Sequence, residues 1–170
     1  MKTPFTFGKL VLENDFTDRI AETRRLISNF NSSVNTILIS PRRWGKSSLV
    51  AKAAKSVQAK SKKTIFCMID LNNIRSEEQF YKLLATKVLQ KSSSKIDSIL
   101  ENAKLFLGRF IPNISFSPNP ETDLKLSLDW NEVRKEPDDI LDLAEKIAVK
   151  TKKKIIICID EFQNISEFDY

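Results

Sequence analysis

The sequence predicts an α/β fold built on a parallel sheet, with an inserted β-hairpin. Three observations predict it. Continuous apolar runs recur at Asn35–Ile39, Thr64–Ile69 and Ile155–Ile159, and uninterrupted apolar strands belong to parallel sheets buried on both faces. Segments of helical spacing separate these runs. Between two of the helices, Ile114, Phe116, Leu124, Leu126 and Leu128 alternate with polar residues around Pro118-Asn119-Pro120, the pattern of a hairpin at about 111–128. Strand, helix, strand, helices, strand implies a sheet with helices on both faces.

Each element has a local reason. Phe5–Val11 is short and alternating, hence strand-like or extended. Asp15–Phe30 carries Phe16, Ile20, Leu26, Ile27 and Phe30 at helical spacing, and Asn29–Ser33 is a helix stop. A loop holding Pro41 and Gly45 precedes a helix over about 46–59. Ser76-Glu77-Glu78-Gln79 is a capping box, in which Ser76 accepts from the helix N-terminus and Gln79 reaches back. The helix it opens places Phe80, Leu83, Leu84, Val88 and Leu89 on one side. A further helix is expected over Lys95–Arg109. Another begins at Pro137-Asp138-Asp139 with Ile140, Leu143, Ala144 and Ile147 inward.

Composition narrows the chemistry. The 170 residues include 28 Lys plus Arg, 22 Asp plus Glu and no histidine, for a net charge of +6. The commonest general base and zinc ligand is therefore absent. Catalysis must rest on carboxylates, lysine, hydroxyls or a hard metal held by oxygens. Cys67 and Cys158 sit inside apolar runs and read as buried core thiols. No segment reaches the ~20 apolar residues of a membrane span, and Met1–Phe5 lacks the apolar core of a signal peptide. The expected setting is cytoplasmic, with no membrane partner. Residues 1–63 carry a net +9 and residues 64–170 a net −3. A basic first third suits an anionic ligand or partner, or merely solvated helix faces.

The most informative stretch is Ser40-Pro41-Arg42-Arg43-Trp44-Gly45-Lys46-Ser47-Ser48, between an apolar run and a helix. Successive backbone N–H groups and a helix N-terminus make a site for phosphate oxygens. Gly45 lets the backbone approach without a Cβ in the way. Lys46 can place its ammonium near β- and γ-phosphates, and Ser47 can offer its hydroxyl to Mg2+. The full pattern has glycine where this chain has Ser40. Arg42 and Arg43 add positive charge or face solvent. Trp44 packs on the nucleotide or on the domain.

The third apolar run ends in Asp160-Glu161. Beside a phosphate loop, Asp160 can hold the Mg2+ shell through Ser47 and water, while Glu161 orients and deprotonates the attacking water. Adjacent residues at a strand end point in different directions, so the two acids can serve different tasks. A strand that simply ends in polar residues is the plainer alternative. No Asn-Lys-x-Asp guanine-reading segment occurs, which favours ATP over GTP.

At Ile39–Leu49 and Ile156–Gln163 the sequence resembles the P-loop ATPases of the AAA+ and STAND group, most closely the archaeal-type ATPase branch. Phe16-Thr17-Asp18-Arg19-Ile20-Ala21-Glu22 also resembles the family's Arg-x-x-Glu opening, which lies near the adenine and implies nucleotide contacts for Phe16 and Arg19. An Arg–Glu helix pair three residues apart is the alternative there. Asp70–Ile74 resembles the segment after the family's second strand, with Asp70 a loop or helix-entry support. The resemblance implies a three-layer P-loop NTPase core. Residues 1–34 would lead into it and 35–170 would form it, incomplete at the C-terminus. Members have a fourth strand with a polar sensor, a fifth strand and a lid, and the chain stops at Tyr170. The expectation is the N-terminal part of a larger ATPase, whose partners are ATP, the C-terminal ATPase and lid, and effector regions. The expected activity is Mg2+-dependent ATP hydrolysis by a nucleotide switch, with Lys46 and Glu161 catalytic and Ser47 and Asp160 on the metal. The alternatives are a truncated, non-catalytic nucleotide-binding fragment and a DNA-associated ATPase with DNA or protein partners.

Overall fold

A computed structural model describes residues 19–41, 43–93, 96–108, 110, 113–116 and 124–168. The strand-like expectation for Phe5–Val11 lies outside them. The chain divides into two compact units, Met1–Thr64 and Ile65–Tyr170.

In the first unit, α1 (Ile20–Asn31) packs on α2 (Lys46–Lys60). Helix α1 buries Thr23, Leu26 and Phe30, three and four residues apart and so on one face. Helix α2 buries Leu49, Ala53, Ala54 and Val57. The two alanines keep that face slim, which lets helix axes approach closely.

The apolar run Asn35–Ile39 departs from expectation, being neither a strand nor buried. Ile37 and Ile39 are 86 % and 92 % exposed. Its β-branched sequence suits a strand, but a strand exists only through a ladder partner. Among the described residues, 35–39 joins neither sheet.

The second unit contains β1 (Thr64–Asp70), α3 (Glu77–Ser92), α4 (Ile96–Leu107), β2 (Asn113–Phe116), β3 (Leu124–Ser127), α5 (Trp130–Lys135), α6 (Asp138–Leu141), α7 (Leu143–Thr151), β4 (Lys154–Asp160) and a 3-10 helix (Phe162–Glu167). Strands β1 and β4 form a small parallel sheet of two strands, where three were expected. Strand β4 is half-buried along its whole length, and Cys158 with it, instead of buried. A two-stranded ribbon offers too little surface to enclose a strand on both faces and both edges. Strands β2 and β3 are an antiparallel hairpin pairing Asn113 with Ser127 and Phe116 with Leu124.

One continuous core fills this unit. Cys67, Ile69 and Leu71 from the β1 strand and its exit meet Leu84, Val88 and Leu89 of α3 and Ile147 of α7. Ser76 Oγ accepts from Gln79 N–H (3.3 Å), while the Gln79 side chain accepts from Arg75 N–H (2.9 Å), one residue before the position a capping box predicts. The helix expected from Pro137 breaks at Asp142 into α6 and α7. Lys146 reaches from α7 to Asp139 of α6 (2.5 Å), and Lys150 binds Glu101 of α4 (2.6 Å). Phe80, Tyr81, Trp130 and Phe168 form an aromatic chain with ring centroids 5.6–6.2 Å apart.

Ile147 is fully buried, and two residues on Val149 is 74 % exposed. Ile147→Ala is expected to cost about 2–5 kcal/mol of stability and Val149→Ala under about 0.5 kcal/mol, read from urea unfolding midpoints. Burial pushes both thiols up, Cys67 and Cys158 each to about 11. Thiolate is the reactive form, so native protein at neutral pH is expected to react with an aromatic disulfide reagent far more slowly than urea-unfolded protein.

Candidate functional site

Apart from Phe16 and Arg19, the predicted site residues fall on two stretches, the turn into α2 in the first unit and the exit of β4 in the second. Each is built by its own local backbone.

The turn into α2 contains two left-handed residues, Arg43 at φ 66° and Gly45 at φ 69°. Alternation through the left-handed region turns successive N–H groups toward one side of the chain. Helix α2 starts at Lys46, with Gly45 as a cap that has no side chain to offer and no acid in the first turn. A Cβ built on Gly45 meets nothing within 4 Å. Within the protein itself the glycine is therefore required by its φ of 69°. Lys46 Nζ donates to the carbonyls of Ser40 (3.0 Å) and Pro41 (3.4 Å), so its ammonium lies against the loop. Ser47 is exposed and Ser48 buried. Trp44 is 65 % exposed.

Arg19 braces this loop. Its Nη1 donates to the Trp44 carbonyl (2.7 Å), and its Nε pairs with Glu22 (3.3 Å). The Arg–Glu helix pair expected as the alternative is thus present. Backbone hydrogen bonding and then Arg19 keep the Glu22 carboxyl below its ordinary value. Phe16 and Arg42 lie outside the described residues.

At the other stretch, β4 ends on Asp160 and the chain turns through a left-handed Glu161 (φ 53°, ψ 39°) into the 3-10 helix. Asp160 Oδ1 accepts from Glu161 N–H (3.0 Å), and the Glu161 carbonyl accepts from Asn164 N–H (3.0 Å). Gln163 Nε2 donates to Glu161 Oε2. Asn164 Nδ2 donates to the Leu71 carbonyl (3.0 Å), and Leu71 N–H donates to the Asp160 carbonyl (3.1 Å). Asp70 Oδ1 accepts from Asn72 N–H (2.9 Å), the loop support read from sequence. Gln163 and Asn164 were not read as functional from sequence. Their signal is position, two and three residues beyond the acid, the reach of one tight helical turn.

Among the described residues, no group of three or more His, Cys, Asp and Glu could hold a metal ion. The Ser47 hydroxyl in the first unit and the Asp160 carboxylate in the second are each hard oxygens of the kind Mg2+ takes. Among the described residues, no helix is long and apolar enough to cross a membrane.

An α/β chain with a small parallel sheet and a Gly-Lys-Ser helix start has the general features of a nucleotide-binding protein. The chain belongs to the family described as Predicted AAA-ATPase, which matches residues 15–167. No curated protein and no solved structure matches it. Membership supports ATPase-like function and nucleotide binding in general, and ATPases of this kind usually use Mg2+.

Because Gly45 has a positive φ and a Cβ there meets no protein atom within 4 Å, Gly45→Ala is expected to destabilise the ligand-free protein by about 1 kcal/mol through backbone strain. Thermal unfolding would measure it, with Ser61→Ala, in extended backbone at the other end of α2, as a control expected to change little.

Proposed function

We propose that the protein binds ATP with Mg2+ and hydrolyses the bond to its γ-phosphate, the nucleotide state acting as a switch on the machinery it serves. The observation that carries this reading is the turn into α2: two left-handed residues, an uncapped helix start and a lysine ammonium already lying against the loop. A helix N-terminus of this kind favours an anion through its N–H groups and dipole.

In this reading, the loop from Ser40 to Ser48 wraps the phosphates. The Lys46 ammonium exchanges the Ser40 and Pro41 carbonyls for β- and γ-phosphate oxygens. Arg43 adds charge at the loop, Trp44 offers an exposed aromatic face, and Phe16 and Arg19 would contact the adenine, as the family resemblance implies. Ser47 and Asp160 would hold Mg2+, which when bound would supply neutralisation of the charge that develops on the phosphate oxygens. Glu161 orients a water and takes its proton as the water oxygen bonds to the γ-phosphorus. The bond from that phosphorus to the bridging oxygen breaks, leaving ADP and inorganic phosphate. The likeness at Ile39–Leu49 and Ile156–Gln163 supports a STAND-type, archaeal-type placement within the wider group. Two unpaired cysteines fit a reducing, cytoplasmic setting.

Titration with Mg-ATP and turnover assays test the proposal. Lys46→Ala is expected to weaken binding at least about tenfold. Glu161→Gln is expected to bind normally while turnover falls about 10²–10⁴-fold. Identical binding by wild type and Lys46→Ala, or unchanged turnover in Glu161→Gln, would sink it.

A further inference from the structure

We propose that Gln163 is the positioning residue of Glu161, holding one carboxylate oxygen so that the other faces the water. This deepens the reading above and rests on it. The backbone of Glu161 is fixed on both sides: its N–H is held by Asp160 Oδ1 and its carbonyl by Asn164 N–H. That leaves the side-chain torsions as its remaining freedom. The Gln163 amide removes that freedom by donating to Oε2. It leaves Oε1, which has lone pairs free of that bond, as the acceptor for a proton.

Three features argue for a positioning role over a structural one. Gln163 is exposed, and its side-chain amide has no other partner among the described residues. An exposed bond between residues two apart contributes little to folding. An amide is also a neutral donor. It orients the carboxylate without placing a competing cation beside the site, as lysine or arginine would. The short 3-10 turn is what makes the contact possible. It is closed by Asn164 N–H on the Glu161 carbonyl and by Asn164 Nδ2 on the Leu71 carbonyl, and it presents position 163 back toward 161.

Steady-state Mg-ATP turnover of the full chain and its variants tests this. Gln163→Ala is expected to lower kcat about tenfold, since loss of orientation at a reacting group costs rate. Its KM, its affinity for Mg-ATP and its unfolding midpoint are expected to match wild type. Gln163→Glu keeps the length of the side chain but replaces the N–H donor with a second carboxylate, so its kcat is expected to fall at least as far as that of Gln163→Ala. Unchanged kcat in Gln163→Ala, or a loss accompanied by raised KM or a lowered midpoint, would overturn the positioning role while Glu161→Gln remains inactive. Turnover that survives Glu161→Gln would instead overturn the proposed function, and the role of Gln163 with it.

Discussion

Leu71 is the residue on which the acidic stretch depends. Its side chain is fully buried in the core of the second unit. Its N–H donates to the Asp160 carbonyl, and its own carbonyl accepts from Asn164. One apolar anchor thus ties the exits of β1 and β4 together and fixes the 3-10 helix beyond them. The ~2 kcal/mol of burying such a side chain secures it against the core. Hydrogen bonds worth about 1 kcal/mol each then set where the polar groups point. Energy and orientation come from different atoms of the same residue.

Backbone strain is placed unevenly along the chain. Four described non-glycine residues have positive φ: Ser33, Arg43, Lys152 and Glu161. Ser33 and Lys152 follow the C-termini of α1 and α7, where a left-handed residue lets the chain close off carbonyls. Neither Arg43 nor Glu161 ends a helix. Each sits in a candidate stretch, at a cost of about 1 kcal/mol or more for a residue with a Cβ. The turn into α2 uses its strain to align N–H groups. The turn after β4 uses it to bring Glu161 within reach of Gln163.

Much of the helical framework is legible in the sequence because it depends on local signals. The run 46–59 becomes α2, the Ser76 cap opens α3, and alternation around 111–128 becomes the β2–β3 hairpin. What is not legible depends on partners. Asn35–Ile39 and Ile155–Ile159 are nearly alike as apolar runs, yet only the second is a strand, because β1 lies beside it. No periodicity reports whether a neighbour exists. Helix α5 escaped because its six residues are too few to show a period, and its start rests on Asp129 accepting from Asn131 N–H. At the site, Gly45, Lys46, Asp160 and Glu161 are legible as residue types in order. The contacts of Gln163 and Asn164, and that of Arg19 with the Trp44 carbonyl, are not, since they arise from how the backbone turns.

The absence of histidine fits this arrangement. A carboxylate is a weak base near neutral pH, and it would serve poorly where a full proton must be removed before bond formation. Phosphoryl transfer through a loose transition state asks for little basicity and much positioning and charge neutralisation. A chain that supplies one lysine at a helix start, hydroxyl and carboxylate oxygens, and an acid fixed by its own backbone and an amide has what such a reaction uses. In the proposed reaction the demand falls on geometry, and the polar bonds after β4 converge on Glu161. Its N–H, its carbonyl and one carboxylate oxygen each have a partner within three residues along the chain. In such a site the direction of the free oxygen matters more than its proton affinity. A glutamine two residues away can supply that direction where a histidine is not present to supply basicity.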